Sequence, residues 1–221
     1  INNHKHIMIN KLSPLPDFLV TRYKKWKSST YKNSQNLYKR LASFGQNPSS
    51  MVISCCDSRI HATSIFGADA GEFFIHRNIA NLVPPYSPDG ENHGTSAAIE
   101  YAIKELKVSH LIILGHTDCG GIKSGHKLHL GIHKSDYEFI NKWLSILSPA
   151  FNNISKDISE KKQINQLEEE GIKVSISNLF SFPYIKKAVG DNKLFIHGLI
   201  HNIGSGELKF LNPLTEEFEN L

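Results

Sequence analysis

The chain has 221 residues, a formal net charge of +4 and three cysteines. That length suits one α/β domain with a sizeable core. The charge is mild and no helix-turn-helix, zinc-finger or RNA-binding motif occurs, so nothing indicates a nucleic-acid partner. The longest apolar runs have the length of strands, and the sequence therefore predicts no membrane span.

Cysteine usage indicates a reducing compartment. Cys55 and Cys56 are adjacent and only Cys119 remains, so a disulfide framework is not expected. No charged start followed by an apolar segment and a small-residue cleavage site occurs, and no secretory signal is predicted. We therefore expect a cytoplasmic protein; because the chain starts at Ile1, a targeting segment removed upstream would also be compatible with it.

Residues 1–45 are predicted to form a helical arm. Apolar side chains recur at helical spacing from Leu15 to Trp26, and a second helix is expected over residues 33–44. The arm is strongly basic and carries a single acid, Asp17. We interpret the basic side chains as a solvated helix face; the alternatives are contact with a membrane or nucleic acid, or an apolar stripe that packs on another subunit. The basic residues are Lys5, Lys11, Arg22, Lys24, Lys25, Lys27, Lys32, Lys39 and Arg40.

The remainder alternates predicted strands with predicted helices. This order predicts an α/β fold with a mostly parallel central sheet of four strands plus an antiparallel edge strand, and helices on both faces. We expect a single domain over residues 1–221. The predicted strands cover residues 51–54, 72–76, 110–115 and 193–201, with the edge strand at 208–211; the predicted helices cover part of 60–70, then 94–106, 120–126, 136–147, 155–180 with an interruption at 168–171, and a short segment from Pro183.

Two short motifs follow predicted buried strands. The first is Ser54-Cys55-Cys56-Asp57-Ser58-Arg59, and the second is Gly115-His116-Thr117-Asp118-Cys119-Gly120-Gly121. In an open α/β sheet, ligands bind in the crevice beyond the carboxyl ends of the strands. Both motifs are therefore predicted to contribute to one site.

The side chains of these motifs suit a metal ion. His116 and Cys119 have a spacing that is common among zinc ligands, and either Cys55 or Cys56 can supply a second sulfur. Side chains alternate along an extended segment, so both neighbours cannot easily face one ion, and residue type alone leaves the choice open. Three protein ligands with water in the fourth position are typical of catalytic zinc, whereas a fourth protein ligand (His61, His76 or His93) would indicate a structural site.

Asp57 and Arg59 form a second element of the predicted site. They lie two residues apart and would point the same way on an extended loop. Arginine can hold a carboxylate through two parallel hydrogen bonds, which would keep Asp57 ionised and able to orient a zinc-bound hydroxide. The alternative is an ordinary salt bridge within a loop.

The two motifs together resemble the β-class carbonic anhydrases, whose pattern is Cys-x-Asp-x-Arg followed by His-x-x-Cys. Two intervening segments, Arg77-Asn78-Ile79-Ala80-Asn81 and Ala97-Ala98-Ile99-Glu100-Tyr101-Ala102, are also similar to family sequence, and the resemblance extends over about residues 14–211. It implies one Zn²⁺ per chain, held by Cys55 rather than Cys56 together with His116 and Cys119. It also implies that Asp57 and Arg59 are the catalytic dyad.

Within that family the chain resembles the plant-type enzymes, which have an open site. Val52 stands where the regulated kind tends to have tryptophan. The resemblance implies a homodimer or larger homo-oligomer in which the arm embraces the neighbour, with Gln46 and Tyr101 acting across the interface. The implied substrate-binding residues are Gln46, Phe74, Ile79, Tyr101 and Gly120.

The activity implied by the resemblance is zinc-dependent, reversible hydration of carbon dioxide to bicarbonate and a proton. The nucleophile would be zinc-bound hydroxide oriented by the Asp57–Arg59 dyad. One alternative is hydrolysis of carbonyl sulfide or carbon disulfide on the same scaffold. A second is a non-catalytic, zinc-stabilised binding protein, and a redox protein using Cys55 and Cys56 ranks last because adjacent cysteines form strained rings.

Overall fold

The computed structural model describes residues 12–90, 93–132 and 137–221. Lys5 and Lys11 of the basic arm, and residue 136 at the predicted start of a helix, lie outside the described residues. The chain divides into two compact units, Ile1–Gln46 and Asn47–Leu221. The assignment of residues 1–221 to one domain stays a prediction.

The described part of the first unit, from residue 12 onward, contains two α-helices, as the periodicity predicts. Helix α1 covers Asp17–Trp26 and continues as a π-helical turn over Lys27–Tyr31, and helix α2 covers Gln35–Phe44. The rings of Trp26, Tyr31 and Tyr38 pack on one another, with centroids 5.3 to 6.0 Å apart. No residue of α1 or α2 is buried, so their apolar stripes are exposed. The exposed apolar side chains of this unit include Leu15, Phe18, Leu19, Tyr23, Trp26 and Phe44.

The second unit is built on a six-stranded sheet with the order β2-β1-β3-β4-β5-β6. The first four strands in this order are parallel, and β5 and β6 are antiparallel additions. This confirms the predicted sheet and adds β6, a three-residue strand at one edge. A segment so short and charged shows no alternation of apolar and polar residues from which a strand could be predicted. The strands are β1 Ser50–Cys55, β2 Phe73–Asn78, β3 His110–His116, β4 Phe195–His201, β5 Leu208–Leu211 and β6 Phe218–Asn220.

Helices accompany the strands in the expected order. Within the described ranges, two segments are 3₁₀ helices: Ile79–Asn81 directly after β2, and Ser145–Asn152. The α-helices are α3 Ala62–Ile65, α4 His93–Lys104, α5 Gly120–His129, α6 Ile140–Leu144, α7 Glu160–Leu179 and α8 Pro183–Gly190. None of the helices in the described ranges has the length and apolar character needed to cross a bilayer.

Two helix predictions need correction. The helix predicted over 136–147 ends at Leu144, and the chain continues as the 3₁₀ segment that contains Pro149. The interruption predicted at 168–171 is wrong, because α7 runs unbroken through Gly171. A Cβ atom at Gly171 would lie 3.1 Å from Leu147 Cδ2, so this glycine serves close packing of the helix rather than a turn.

The strand register brings the two sequence motifs to one edge of the sheet. Every residue of β1 is buried, which explains its continuous apolar run. Ser54 of β1 pairs with Leu114 of β3, so Cys55 and His116, which end these strands, lie at the same carboxyl edge. Parallel pairing therefore joins segments that are far apart in sequence.

Candidate metal centre and active site

Cys55, His116 and Cys119 form one buried group. Their possible ligand atoms all lie within 4.8 Å of one another, and the two Sγ atoms are 3.9 Å apart. Cys55 ends β1, His116 ends β3, and Cys119 directly precedes α5. The neighbouring thiol of Cys56 is exposed and does not belong to this group.

The group fits a tetrahedral zinc ion. Sulfur ligands at about 2.3 Å from such an ion lie about 3.8 Å apart, close to the separation of the two Sγ atoms. The Nδ1 atom of His116 lies 2.9 Å from the carbonyl oxygen of Thr117 and donates to it, which leaves Nε2 as the free ring acceptor. Nε2 is buried and has no hydrogen-bond partner within the described part of the chain. An imidazole held by a backbone carbonyl, with its second nitrogen bare, is the usual arrangement of a zinc-binding histidine.

Backbone amides surround both thiols. The N–H of Asp57 lies 3.4 Å from Cys55 Sγ, and Cys119 receives the N–H groups of Gly121 and Ile122 at the start of α5. The hydrogen bond between the two thiols lowers the pKa of Cys55 and raises the pKa of Cys119, since one proton is shared between them. Binding of a divalent cation requires both groups as thiolates, and the amides stabilise that charge.

Asp57 and Arg59 form the predicted two-bond pair. Nε of Arg59 donates to Asp57 Oδ1 at 2.9 Å, and Nη2 donates to Oδ2 at 2.7 Å. These bonds, led by those from the Arg59 side chain, hold the pKa of Asp57 well below its usual range. Oδ2 of Asp57 lies 4.0 Å from His116 Nε2, so an ionised carboxylate stands beside the ligand group.

Arg77 secures the loop that carries Cys55 and Asp57. Its guanidinium donates to the carbonyl oxygens of Cys55 at 2.9 Å, Asp57 at 2.7 Å and Ile60 at 2.9 Å. Arg77 lies in a segment that is similar to family sequence, but its residue type alone predicts no role for it. Since three backbone carbonyls share this one side chain, its position determines the path of the loop.

Glu168 is a second residue that the sequence analysis did not assign. This carboxyl, on α7, is 3% exposed, and its Oε1 accepts the backbone N–H of Cys119 at 2.9 Å. Burial raises the pKa of Glu168 to about 7. In the sequence, the burial of Glu168 could have been inferred only from its inward-facing position on an amphipathic helix. The helix interruption predicted at residues 168–171 prevented that inference.

The turn after β2 packs tightly against the start of α5. Ala80 and Asn81 have φ values of 63° and 50°, in the left-handed region that side chains seldom adopt. A Cβ atom on Gly121 would lie 2.8 Å from Ile79 Cγ2 and 3.0 Å from Ala80 Cβ. Only glycine therefore fits at this position without displacing the turn, whereas the same atom on Gly120 would meet nothing within 4 Å.

The predicted substrate residues fall into three sets. Ile79 and Gly120 lie beside the ligand group, in the turn after β2 and at the first position of α5. Phe74 and Tyr101 stack on each other with centroids 5.8 Å apart. However, Phe74 pairs with Met51, four residues before the end of the strand, which places it about 13 Å along the sheet from the site of its own chain. Gln46 is exposed at the end of the first unit.

A cleft of about 760 Å³ opens beside Cys56, the neighbour of Cys55 in the chain. Cys56, Ile79 and Trp143 contribute to its lining, and the indole N–H of Trp143 donates to the carbonyl of Ile79 at 2.8 Å. His76 and His93 also line the cleft but do not join the Cys–His–Cys group, which is the cluster among the described residues that could hold a metal ion. A closed set of four protein ligands is thus not formed in that part of the chain.

Comparison with known proteins identifies the family. Residues 50–208 match the family model described as carbonic anhydrase, and the chain belongs to that family. Its relatives within the family are β-class enzymes, which are carbonate dehydratases of the lyase class. Beta carbonic anhydrase 3 of Arabidopsis thaliana is 38% identical over 184 residues, which cover 82% of this chain and 70% of the relative.

Solved structures show the same fold. The β-carbonic anhydrase CcaA superposes with a TM-score of 0.86 and 25% identity, covering 93% of this chain and 91% of that one. CafA of Aspergillus fumigatus gives a TM-score of 0.77 and 29% identity, covering 90% and 93%. One of two enzymes described as tetrameric, from Sordaria macrospora, gives 0.75 and 28%, covering 89% and 96%.

Proposed function

We propose that this chain catalyses the zinc-dependent, reversible hydration of carbon dioxide to bicarbonate and a proton. The observation that carries the proposal is the buried Cys55–His116–Cys119 group with the Asp57 carboxylate 4.0 Å from the bare nitrogen of His116. A zinc ion held by these three side chains would supply the Lewis acidity that makes water a nucleophile near neutral pH. The family membership supports this reaction in preference to a non-catalytic role.

Asp57 is the residue that would orient the nucleophile. Its pKa is depressed by Arg59, so it stays an acceptor throughout the neutral range. Both of its oxygens are engaged by the Arg59 fork, which prevents the carboxylate from turning towards the ligand group. We infer that the fourth metal position stays open to water, as in the plant-type enzymes.

Ile79 and Gly120 would form this chain's part of the substrate pocket. The side chain of Ile79 is 37% exposed beside the site and suits an apolar gas. Gly120 opens α5, where the first backbone N–H groups have no intrahelical acceptor. An amide in that position can donate to the oxygen on which charge develops as the nucleophile attacks.

The rest of the pocket is proposed to come from a second copy of the chain. Phe74 lies too far along the sheet to reach its own site, and Tyr101, whose ring stacks on Phe74, is 48% exposed and available to a neighbour. The uncovered apolar stripe of the basic arm is proposed to embrace that neighbour, with Gln46 following it into the interface. The tetrameric description of the Sordaria macrospora relatives supports a homo-oligomer.

The activity is tested by stopped-flow carbon dioxide hydration on protein of known zinc content. Asp57→Asn should retain zinc and lose roughly 10²- to 10⁴-fold in kcat, as expected for a residue that handles the nucleophile's proton. Asp191→Asn, which removes a surface carboxylate, is the matched control and should behave as the native protein. Native protein that holds one zinc per chain and hydrates no carbon dioxide at any pH would refute the proposal, and carbonyl sulfide would then be the next substrate to test.

The open site has its own test in the pH profile. Activity should rise through one ionisation near neutrality, the range to which zinc brings the pKa of bound water. A steep loss of activity below about pH 8, with zinc retained, would instead indicate that Asp57 closes the site.

The shared pocket is tested by mixing two inactive chains. Asp57→Asn alone and Tyr101→Ala alone should both be impaired. After dissociation and reassembly, a hybrid of one Asp57→Asn chain and one Tyr101→Ala chain should regain one native site, because the Asp57 of the second chain meets the Tyr101 of the first. Activity that does not return when the two variant chains are reassembled together would contradict a pocket built from two copies.

The proposed location is the cytoplasm, on the basis of three cysteines that are all free in the structure. Fractionation of the source cells checks it directly. Recovery of the protein in an oxidising compartment, with its thiols blocked, would contradict this proposal.

A further inference from the structure

The peptide unit between Asp118 and Cys119 is held on both sides by charged side chains. Its carbonyl oxygen, on Asp118, accepts a hydrogen bond from Arg59 Nη2 at 3.2 Å. Its N–H, on Cys119, donates to Glu168 Oε1 at 2.9 Å. One planar group therefore connects the guanidinium of the Asp57–Arg59 pair to a buried carboxylate on α7.

The local backbone conformation makes this contact necessary. Asp118 has a φ of 58°, in the left-handed region, and this turn directs the following N–H into the protein interior. Cys119 is only 1% exposed, so water does not reach that amide. A buried N–H without a partner destabilises the folded state, and Glu168 provides the acceptor that the turn requires.

Glu168 is not explained by stability alone. Its second oxygen, Oε2, is buried without a hydrogen-bond partner among the described residues. A buried carboxylate with one oxygen unpaired is a costly way to satisfy a single amide, which a neutral glutamine or serine could also satisfy. The side chain occupies this place directly behind a residue of the Cys–His–Cys group.

We propose that Glu168 is a positioning residue that acts through the Asp118–Cys119 peptide. By accepting the N–H of Cys119 it would hold the Cys119 thiolate in place for the metal. It would also hold the Asp118 carbonyl in place as the acceptor of the hydrogen bond from Arg59 Nη2. The inference rests on the proposed function, since it concerns the same site. Rotation of this peptide would move Cys119 and the acceptor of Arg59 together. Loss of the Glu168 acceptor should therefore weaken metal retention and, at the same time, the hydrogen bond that holds Arg59 of the Asp57–Arg59 dyad.

The experiment compares two substitutions of Glu168 in the zinc-loaded protein. Glu168→Gln keeps an oxygen that can accept the Cys119 N–H, whereas Glu168→Met keeps the approximate volume and removes the acceptor. Ser175→Ala is the matched control: Ser175 lies on the same helix, is buried, and accepts the N–H of Val83 at 3.2 Å. It removes the same kind of hydrogen bond outside the metal group.

The primary measurement is the rate of zinc transfer to a chromogenic chelator. Glu168→Met should lose zinc 10- to 100-fold faster than the native protein, the usual effect of removing a group that orients a metal ligand. Glu168→Gln should lose zinc about as slowly as the native protein. Ser175→Ala should also release zinc at the native rate, even if its unfolding midpoint is lowered. The visible spectrum of the cobalt-substituted protein should change in Glu168→Met only, because it reports the metal–thiolate geometry.

The link to Arg59 is tested by combining substitutions. If the peptide joins the two side chains, the effects of Arg59→Lys and Glu168→Met on zinc release will not be additive, as expected for residues in one hydrogen-bond network. Additive effects would overturn the coupling.

The outcomes separate this inference from the proposed function. Native protein that binds zinc and hydrates carbon dioxide upholds the function whatever the variants do. Zinc release from Glu168→Met at the native rate, or release as fast from Ser175→Ala as from Glu168→Met, would then overturn the positioning role.

Discussion

Substitution of Gly121 by alanine is the sharpest test of how the site is packed. The added Cβ atom would lie 2.8 Å from Ile79 Cγ2, 3.0 Å from Ala80 Cβ and 3.3 Å from Ala80 N. The side chain of Ile79 can move, but the backbone of Ala80 is already in the left-handed region and contacts the thiol of Cys55. The turn must therefore shift away from α5, and the amide that supports Cys55 shifts with it.

The expected magnitude follows from the cost of overpacking. An extra methyl group in a well-packed site costs about 1–3 kcal/mol. For a protein of this size, each kcal/mol lowers Tm by about 2–4 °C, so we expect a fall of about 2–12 °C. Zinc should also dissociate faster, because the displaced amide no longer supports the thiolate.

The assay is calorimetric unfolding together with zinc release, with Gly120→Ala as the control. The control makes the same chemical change one residue earlier in the same helix, where the new atom meets nothing within 4 Å. It should leave Tm within about 1 °C of the native value. Equal Tm values for both variants would refute the argument that close packing against the Ile79–Asn81 turn requires glycine at 121.

Three further predictions concern single side chains. Cys55→Ser should lose zinc while Cys56→Ser keeps it, since only the first thiol is in the buried group; zinc analysis after dialysis decides between them. Arg77→Met should lower the free energy of unfolding by about 3 kcal/mol through the loss of its bonds to carbonyls, and Arg77→Lys should not restore it because lysine lacks the planar fork; urea unfolding measures both, and full rescue by lysine would contradict the clamp. Burial and the neighbouring His110 lower the pKa of His197 in the folded protein. The unfolded chain therefore binds a proton at this histidine more readily than the folded protein does. The free energy of unfolding is unaffected by this histidine above its unfolded pKa and falls as pH drops through about 6.5. His197→Gln should accordingly lose less stability than the native protein between about pH 7.5 and about pH 5.5, and an unchanged acid sensitivity would contradict this.

The sequence was sufficient to predict the framework because the core strands carry strong signals. The runs before Cys55 and before His116 are continuously apolar, and parallel pairing places their ends together whatever the loops do. Residue type could not distinguish Cys55 from Cys56, since alternation separates the two side chains without saying which one faces inward. That choice came from the resemblance, and the structure brings Cys55 into the buried group.

Other residues could not be assigned because their partners are distant in sequence. Arg77 binds carbonyl oxygens, which have no side-chain identity to recognise, and Glu168 meets an amide 49 positions away. Gly171 has the sequence appearance of a helix break, yet its function is contact with Leu147, a feature of tertiary packing. These positions show where local propensity stops being informative.

The pairing of β1 with β3 has a consequence for the order of folding. Cys55 and Cys119 are 64 positions apart, and their thiols meet only after these two strands have paired. We therefore expect metal capture to follow the pairing of β1 with β3, so that zinc would act as a late cross-link on a structure already formed. Such a link stabilises contacts made after the transition state, and zinc should slow unfolding while leaving the folding rate nearly unchanged.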